Sequence, residues 1–280
     1  MINSVGIVAN HWTKRDVEPA EPPSYRRRNS VRGVAQNRYN SLSSEIRTSD
    51  SVILSVQHVA KSFHHKKILK DVSFQLSEAS ASVLIGPNGV GKTTLLKTLA
   101  GVMRPDSGEA HLVSLPLFTE NFSHRKHLIY WSHQSLFYPA FSGMENIRFF
   151  LSLRNQNIHD QKIIEQLDYF GLLPQINDPV RIYSAGMLQR LTMIKMILSD
   201  WKLALMDEPT SALDVDGLDH LNHLMKQWKE DGRALLFSTH DIGWAESWAD
   251  TALCIRNGVV DQEIFSPKFQ DMHHFLSEKR

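Results

Sequence analysis

The sequence predicts an α/β fold: a parallel-stranded core, an antiparallel β subdomain near the N-terminus and a helical insert at about 138–185. Three short apolar segments favour the core, at 82–85, 203–206 and 234–238. Each has the character of a buried strand, and each leads into a helical pattern or a polar loop. Strands that alternate with helices in this way are typical of a parallel sheet.

The bulk composition fits one large domain or two small ones, because 280 residues are ample for a buried core. A formal net charge of +1 gives no reason to expect nucleic acid as a partner. Cys254 is the only cysteine, so no internal disulfide can form, which fits a reducing compartment. No apolar run approaches the roughly 18–20 residues that span a bilayer, so we expect a soluble chain whose membrane role, if any, comes through a partner.

Residues 1–50 differ in composition from the rest of the chain. Basic residues outnumber acidic ones there, serine and proline are frequent, and apolar residues follow no period. We interpret the segment as a disordered, mildly basic tail. The folded domain is then expected at 51–265, followed by a partly helical C-terminal tail at 266–280.

The stretch 86–94 matches the phosphate-binding P-loop pattern G-x-x-x-x-G-K-S/T at every fixed position. It lies between the predicted strand at 82–85 and the first turns of a helix at 95–99, which is the context that the motif requires. A chance glycine-rich turn is the alternative, and this context disfavours it. The nine residues are Gly86, Pro87, Asn88, Gly89, Val90, Gly91, Lys92, Thr93 and Thr94.

The residue types of this loop explain its chemistry. Glycines let the backbone wrap around a phosphate with its N–H groups pointing inward. The N-terminus of the following helix adds the positive end of its dipole. Lys92 would bring a full charge to the β- and γ-phosphates, and the Thr93 hydroxyl could ligate Mg²⁺.

The N-terminal part of the domain is predicted to form strands at 52–56, 72–76 and 110–113, with a charged connection at 61–70. Phe63 lies in that connection. It could stack on an adenine base, or it could be a loop residue fixed on the sheet.

The middle of the chain is predicted to contain a strand at 127–134 that ends at Gln134, where α/β proteins place site residues. An aromatic stretch follows at 137–141, and then two amphipathic helices at about 144–153 and 160–170. Most of these apolar residues are expected in the core, and some could form a docking groove for another protein.

Polar residues stand at the ends of the later predicted elements. Ser184 is a plausible N-cap for a helix that opens Tyr-Ser-Ala-Gly-Met. Asp207 ends an apolar strand, as in the Walker B arrangement at Mg²⁺, and Glu208 could polarise the attacking water. His240 follows the strand at 234–238 and would reach the γ-phosphate from the same sheet edge. A lone His at a strand end and an isolated Asp-Glu turn are more often structural, and the upstream P-loop favours the catalytic interpretation here.

The order of these elements resembles the ATPase domain of ATP-binding cassette (ABC) proteins, from about Val52 to Asp261. A P-loop alone would indicate only an NTPase. The helix start at 184–190, the run Asp-Glu-Pro-Thr-Ser-Ala-Leu-Asp at 207–214 and the later histidine make the resemblance specific. It implies a P-loop NTPase of the ABC ATPase fold, with ATP and Mg²⁺ as cofactors.

The resemblance also implies a role for each site residue. Phe63 would stack on adenine, and Gln134 would touch Mg²⁺ and the water while sensing the partner. Ser184 and Gly186 would act on the γ-phosphate held by a second subunit. Walker A would be 86–94, Walker B Asp207, the general base Glu208, the D-loop aspartate Asp214 and the switch His240.

The sequence departs from the family pattern at two places. The usual Leu-Ser-Gly-Gly-Gln reads Tyr-Ser-Ala-Gly-Met at 183–187, and the Gly-Glu that often precedes the P-loop strand reads Ala-Ser at 79–80. Because Ser184 and Gly186 remain, activity is still expected. A narrower resemblance, carried by Ser132-His133-Gln134 and by residues 212–218, is to the haem-exporter ATPase of cytochrome c maturation.

The function expected from the resemblance is ATP hydrolysis by a head-to-tail homo- or heterodimer, on the cytoplasmic face of the cell membrane, that drives integral-membrane permease subunits. Three alternatives stay open. They are the ATPase of another exporter with a separate permease for drugs, lipids or polysaccharides, a soluble ABC ATPase acting on RNA, ribosomes or cluster assembly, and a regulatory nucleotide-binding module without turnover. Glu208 and His240 argue against the last.

Overall fold

The computed structural model of the chain describes residues 52–120, 122–132 and 136–277. Its strands are β1 (Val52–Phe63), β2 (Lys66–Ser77), β3 (Ala81–Ile85), β4 (Ser107–Leu112), β5 (Leu115–Pro116), β6 (Leu128–Trp131), β7 (Leu203–Asp207), β8 (Ala234–Ser238), β9 (Thr251–Arg256) and β10 (Val259–Phe265). Its α-helices are α1 (Lys92–Leu99), α2 (Gly143–Leu153), α3 (Asp160–Tyr169), α4 (Ala185–Ile197), α5 (Val215–Glu230), α6 (Ile242–Trp248) and α7 (Phe269–Ser277). Short 3-10 helices lie at Phe122–His127, Leu173–Gln175 and Val180–Ile182.

The strands follow the order β5-β4-β1-β2-β10-β9-β3-β8-β7-β6. One part is parallel, because β3 pairs in parallel with β8 and β9, and β7 pairs in parallel with β6 and β8. The other part is antiparallel and is built from β1 with β2 and β4. The predicted α/β core and the predicted antiparallel subdomain are therefore confirmed.

Both faces of the parallel part are buried. Along β7, Leu203 and Leu205 belong to one apolar cluster, whereas Ala204 and Met206 belong to another. A strand covered on both faces has an unbroken apolar sequence, as 203–206 does. The carboxyl ends of β3, β7 and β8 meet at one edge, and the loops after them carry the predicted site residues.

The predicted connection at 61–70 is wrong in its extent. Strand β1 continues to Phe63 and β2 already begins at Lys66, so only His64 and His65 form the turn. His64 adopts a φ of 53°, the left-handed conformation that a two-residue hairpin needs. The many charged residues suggested a loop, but they alternate with partly buried ones along two paired strands.

The C-terminal residues are part of the folded body rather than a separate tail. Helix α7 lies within 266–280, and its Met272 and Phe275 are buried in the core. Arg256 of β9 donates a hydrogen bond to the Phe275 carbonyl oxygen at 2.7 Å. Its guanidinium also lies 4.2 Å from the centroid of the Phe275 ring. Within the described ranges, no helix is both long and apolar enough to cross a bilayer.

A lysine of α4 is buried against two aromatic rings. Lys195 is 7% exposed, and burial lowers its pKa from 10.5 to about 8, with a smaller contribution from the charge of Arg154. Its ammonium lies 5.1 Å from the centroid of the Phe150 ring and 5.4 Å from that of Phe137. These cation–π contacts offset part of the desolvation cost.

Lys195→Met is expected to change how stability depends on pH. Below about pH 8 the folded and unfolded chains both carry the charge, and the folded chain bears the whole desolvation cost. Between about pH 8 and 10.5 the folded chain loses this proton first, so its unfolding free energy should rise relative to the variant. The lowering of the pKa corresponds to about 3 kcal/mol.

Urea unfolding of both proteins across this pH interval measures the difference. Lys162→Met, at an exposed lysine of α3, controls for the methionine itself. A difference between wild type and Lys195→Met that stays constant with pH would contradict the assignment of a buried charge.

Candidate active site

The P-loop joins β3 to α1 and surrounds the Lys92 ammonium. Gly91 adopts a φ of 117°, and a Cβ there would lie 2.9 Å from a methyl carbon of Leu69, so the position requires glycine. Lys92 Nζ donates hydrogen bonds to the carbonyl oxygens of Gly86 at 2.8 Å and Pro87 at 3.4 Å. Burial lowers the pKa of Lys92, and the nearby carboxylates of Glu208 and Asp207 counteract this in part. The loop thus holds a positive charge against two of its own carbonyl oxygens.

Asp207 ends β7 opposite the P-loop and is 2% exposed. Its Oδ1 accepts hydrogen bonds from the Thr93 hydroxyl at 3.0 Å and the Ser238 hydroxyl at 2.8 Å. A carboxylate beside a hydroxyl is the oxygen donor set that suits Mg²⁺, which takes one or two carboxylates together with substrate phosphates. The donor set at this position therefore fits Mg²⁺.

Glu208 follows Asp207 in a left-handed conformation, with a φ of 54°. Its backbone N–H donates to the Ser238 carbonyl and hydroxyl oxygens, at 3.1 and 3.2 Å. Its carboxylate accepts a hydrogen bond from the His240 backbone N–H at 3.1 Å, and its Oε1 lies 3.2 Å from His240 Nε2. Strained backbone of this kind persists where the surroundings fix it, often at functional sites. Here it brings the Glu208 carboxylate beside the His240 imidazole.

These groups line one cavity of about 680 Å³. Phe63 forms part of its wall, and the ring is 40% exposed. The full lining is Phe63, Ile68, Asn88, Gly89, Gly91, Lys92, Thr93, Thr94, Lys97, Ser132, Asp207, Glu208, Ser211 and His240. Gly86 and Pro87 contact the cavity residue Lys92, whose ammonium is hydrogen-bonded to their carbonyl oxygens. The Val90 N–H donates a hydrogen bond to the Pro87 carbonyl oxygen at 3.2 Å, which closes a turn. Gln134 lies outside the described residues, two positions after Ser132 in the sequence.

The remaining predicted residues lie away from this lining. Ser184 caps α4, where its hydroxyl accepts a hydrogen bond from the Met187 N–H at 3.2 Å. A Cβ at Gly186 would lie 3.2 Å from the Ala212 carbonyl oxygen. Asp214 caps α5 and its carboxylate lies 2.6 Å from Arg190 Nη2. That arginine and the Gly217 backbone N–H lower the pKa of Asp214. The structure thus shows a structural contact for Asp214.

The roles of two polar residues near the site, Ser238 and Gln189, were missed from the sequence. Ser238 donates a hydrogen bond to the Asp207 carboxylate and accepts one from the Glu208 backbone N–H, and its signal was a hydroxyl ending an apolar strand. Gln189, on α4, accepts a hydrogen bond from Trp131 Nε1 at 2.5 Å and donates to the Ser211 carbonyl at 3.3 Å. It connects three segments that are far apart in the chain, which no local pattern indicates.

The fold and this cavity define a class of protein, the P-loop ATPases whose parallel sheet carries an added antiparallel subdomain. A dimeric, post-hydrolysis ATP-binding cassette bound to ADP and Pi has a similar fold. Its TM-score is 0.69 at 22% identity, and the match covers 77% of this chain and 99% of that one.

Comparison with protein families narrows the class. The ABC transporter family model matches residues 69–211. The uncharacterized ABC transporter ATP-binding protein YdbJ of Bacillus subtilis (strain 168) is 33% identical over 213 residues, 76% of this chain and 69% of the relative. The SkfA peptide export ATP-binding protein SkfE of the same organism is 27% identical over 232 residues, 81% and 95% of the two chains. The chain belongs to the ABC transporter family and is an ATP-binding subunit and ATPase of that family.

Proposed function

We propose that the chain hydrolyses Mg²⁺-ATP with the residues of this cavity. The observation that supports this most strongly is the convergence of Lys92, Thr93, Asp207, Glu208 and His240 on one space. Mg²⁺ supplies charge to the phosphates when bound, and Asp207 and Thr93 would hold it. Phe63 would stack on the adenine, and the P-loop N–H groups would hold the phosphates.

The hydrolytic step follows from the position of Glu208. Its carboxylate takes a proton from a water as the water oxygen attacks the γ-phosphorus, and the bond to the ADP oxygen breaks. His240, 3.2 Å from the same carboxylate, would contact the γ-phosphate. Gln134 would orient the water and the metal.

A second subunit would complete the site. Ser184 and Gly186 lie outside the cavity lining, at the N-terminus of a 13-residue helix, where backbone N–H groups favour an anion. One chain thus carries a phosphate-binding loop and a separate anion-binding helix end, with Asp214 and Arg190 beside it. We propose a head-to-tail homodimer in which each chain offers its α4 end to the ATP of the other.

An aromatic cluster, Tyr138, Phe141 and Phe149, supports docking of a membrane subunit. Tyr138 and Phe141 are 51% and 38% exposed, and their rings stack 5.4 Å apart. Phe149 packs edge-on against Tyr138 at 4.9 Å. Asn146 fixes this surface, because its side chain is hydrogen-bonded to the backbone of Tyr138 and Phe141. Tyr138 and Phe141 follow Gln134 shortly in the sequence, so a partner there would bear on the segment that carries this predicted site residue.

The double variant Tyr138→Asp, Phe141→Asp tests this surface. A carboxylate buried without a partner is costly, so each change should weaken docking by at least about tenfold. Tyr169→Asp, at an exposed aromatic of α3 outside the cluster, is the matched control. The measurement is a detergent pull-down with mass spectrometry and a parallel ATP-binding assay. Membrane proteins that are recovered equally well with both variants would contradict the docking surface.

The same pull-down would also indicate which class of substrate is transported. We propose an exporter with a separate permease, at the cytoplasmic face of the cell membrane, since SkfE is named for peptide export. The haem-exporter hypothesis rests only on the residues around 132–134 and 212–218, and recovery of cytochrome c maturation membrane proteins would favour it. Another permease would favour a different exporter. Ribosomes or soluble assembly factors, without any membrane protein, would contradict transport.

A further inference from the structure

The end of β1, which carries Phe63, is paired with another strand on only one side. Its last register pairs with β2 are Ser62 with Lys67 and Phe63 with Lys66. On the other side, its pairing with β4 ends at Ala60 with Ser107. The last three residues of β1 therefore extend beyond the strand that supports them from that side.

Asp106 occupies the position where that pairing stops. Its backbone N–H donates to the Ala60 carbonyl oxygen at 2.8 Å. Its carboxylate accepts a hydrogen bond from the Ser62 backbone N–H at 2.6 Å and one from Lys61 Nζ at 3.0 Å. The same two donors lower the pKa of Asp106. One residue thus binds three consecutive residues of β1 just before Phe63.

The segment that carries Asp106 is itself held closely against β1. Gly108 adopts a φ of 90°, and a Cβ there would lie 2.3 Å from the His58 carbonyl oxygen. Only glycine allows the two backbones to approach in this way. The position of Asp106 relative to the end of β1 is therefore set by backbone contact as well as by its carboxylate.

Lys61 connects Asp106 to the ring of Phe63. Its Nζ, held by Asp106, lies 5.8 Å from the ring centroid, over one face. Phe63 lines the cavity and Lys61 does not. The ammonium therefore contacts the ring without forming part of the cavity wall, and Phe63 remains in that wall, where a planar ligand could stack on it.

We propose that Asp106 is a positioning residue for the base of the bound nucleotide. It fixes the end of β1 and the Lys61 ammonium, and through them the stacking surface of Phe63. The inference rests on the proposed role of Phe63 in adenine binding, and it adds that part of the affinity for ATP originates outside the cavity, in the loop before β4.

The test compares two ligands, because a merely structural change would affect both. Calorimetry measures the affinity for a non-hydrolysable ATP analogue and for inorganic tripolyphosphate, each with Mg²⁺. Phe63→Ala should lower the affinity for the analogue by about 5- to 150-fold, the range for loss of one base–aromatic stack. Asp106→Ala should also weaken binding of the analogue, by a large part of the factor found for Phe63→Ala. The affinity for tripolyphosphate should be unchanged in both variants.

Three further variants make the result decisive. Asp106→Asn keeps an oxygen for the Ser62 N–H but loses the charge, so its affinity for the analogue should be intermediate. This variant replaces Asp106→Ala in the test if the alanine variant does not fold. Asp71→Ala removes another exposed acid paired with β1, 2.8 Å from His58 Nδ1, and should have no effect. The double variant Asp106→Ala, Phe63→Ala should bind no more weakly than Phe63→Ala, because both changes remove the same contact.

The possible failures can be told apart. Unchanged affinity in Phe63→Ala would refute the stacking role itself and leave the phosphate site intact. A full loss in Phe63→Ala with none in Asp106→Ala or Asp106→Asn would overturn only the role of Asp106. Additive losses in the double variant, or a loss of tripolyphosphate affinity in Asp106→Ala, would show that Asp106 acts on the fold in general.

Discussion

Replacement of Lys92 by alanine is expected to abolish tight ATP binding. The Lys92 ammonium already lies inside the loop, bound to the Gly86 and Pro87 carbonyl oxygens, and part of its desolvation has occurred in the folded chain. A phosphate would therefore meet a preorganised charge in a partly buried site. Each charged hydrogen bond lost should weaken binding by about 10- to 150-fold.

Calorimetry with Mg²⁺-ATP measures this effect. Lys226→Ala removes an exposed lysine of α5 and should bind as the wild type does. Equal affinity in wild type and Lys92→Ala would show that the P-loop is not the phosphate site.

Glu208→Gln is expected to bind ATP but to hydrolyse it very slowly. Glutamine keeps the shape and the acceptor for the His240 N–H, but it cannot take up the proton of the attacking water. A general base contributes about 10²–10⁴-fold in rate, which is the expected loss. ATP should then persist in the site and hold the closed dimer together.

Phosphate release at saturating ATP measures the rate, and Glu230→Gln, at an exposed glutamate of α5, is the control. Turnover near the wild-type rate in Glu208→Gln would mean that another group activates the water. His240 would then be the next residue to replace, because its imidazole is the other polar group at that point of the cavity.

The α/β core could be predicted because its signals are local. A strand buried on both faces has an unbroken apolar sequence, and the run at 203–206 belongs to such a strand. The P-loop is likewise a contiguous pattern with a fixed backbone requirement. The parallel pairing then brings Asp207 and His240 to one edge, so most of the site follows from knowing where three strands end.

Other features depend on contacts between distant parts of the chain. Asp106 reaches the end of β1 only because a bulged β1 lies beside β4, and nothing near Asp106 in the sequence indicates a site. Gln189 joins Trp131 to Ser211 in the same way. Helix α7 was interpreted as a tail because its polar residues conceal the buried pair Met272 and Phe275, which pack in the core, with Phe275 also in contact with Arg256 of β9.

The signature residues are a different case, since their motif is visible in the sequence but the two residues lie outside the cavity lining of their own chain. Ser184 and Gly186 stand at the start of α4, outside the cavity that holds Lys92 and Glu208. We expect their role to require a second copy, which the sequence indicates only through the resemblance.

The mass of Glu208→Gln in solution, with and without Mg²⁺-ATP, tests the head-to-tail site most directly. Light scattering should give a single chain of 32.0 kDa without nucleotide and twice that mass with Mg²⁺-ATP, with one ATP bound per chain. A Glu208→Gln chain that binds ATP yet keeps the mass of a single copy would contradict the account.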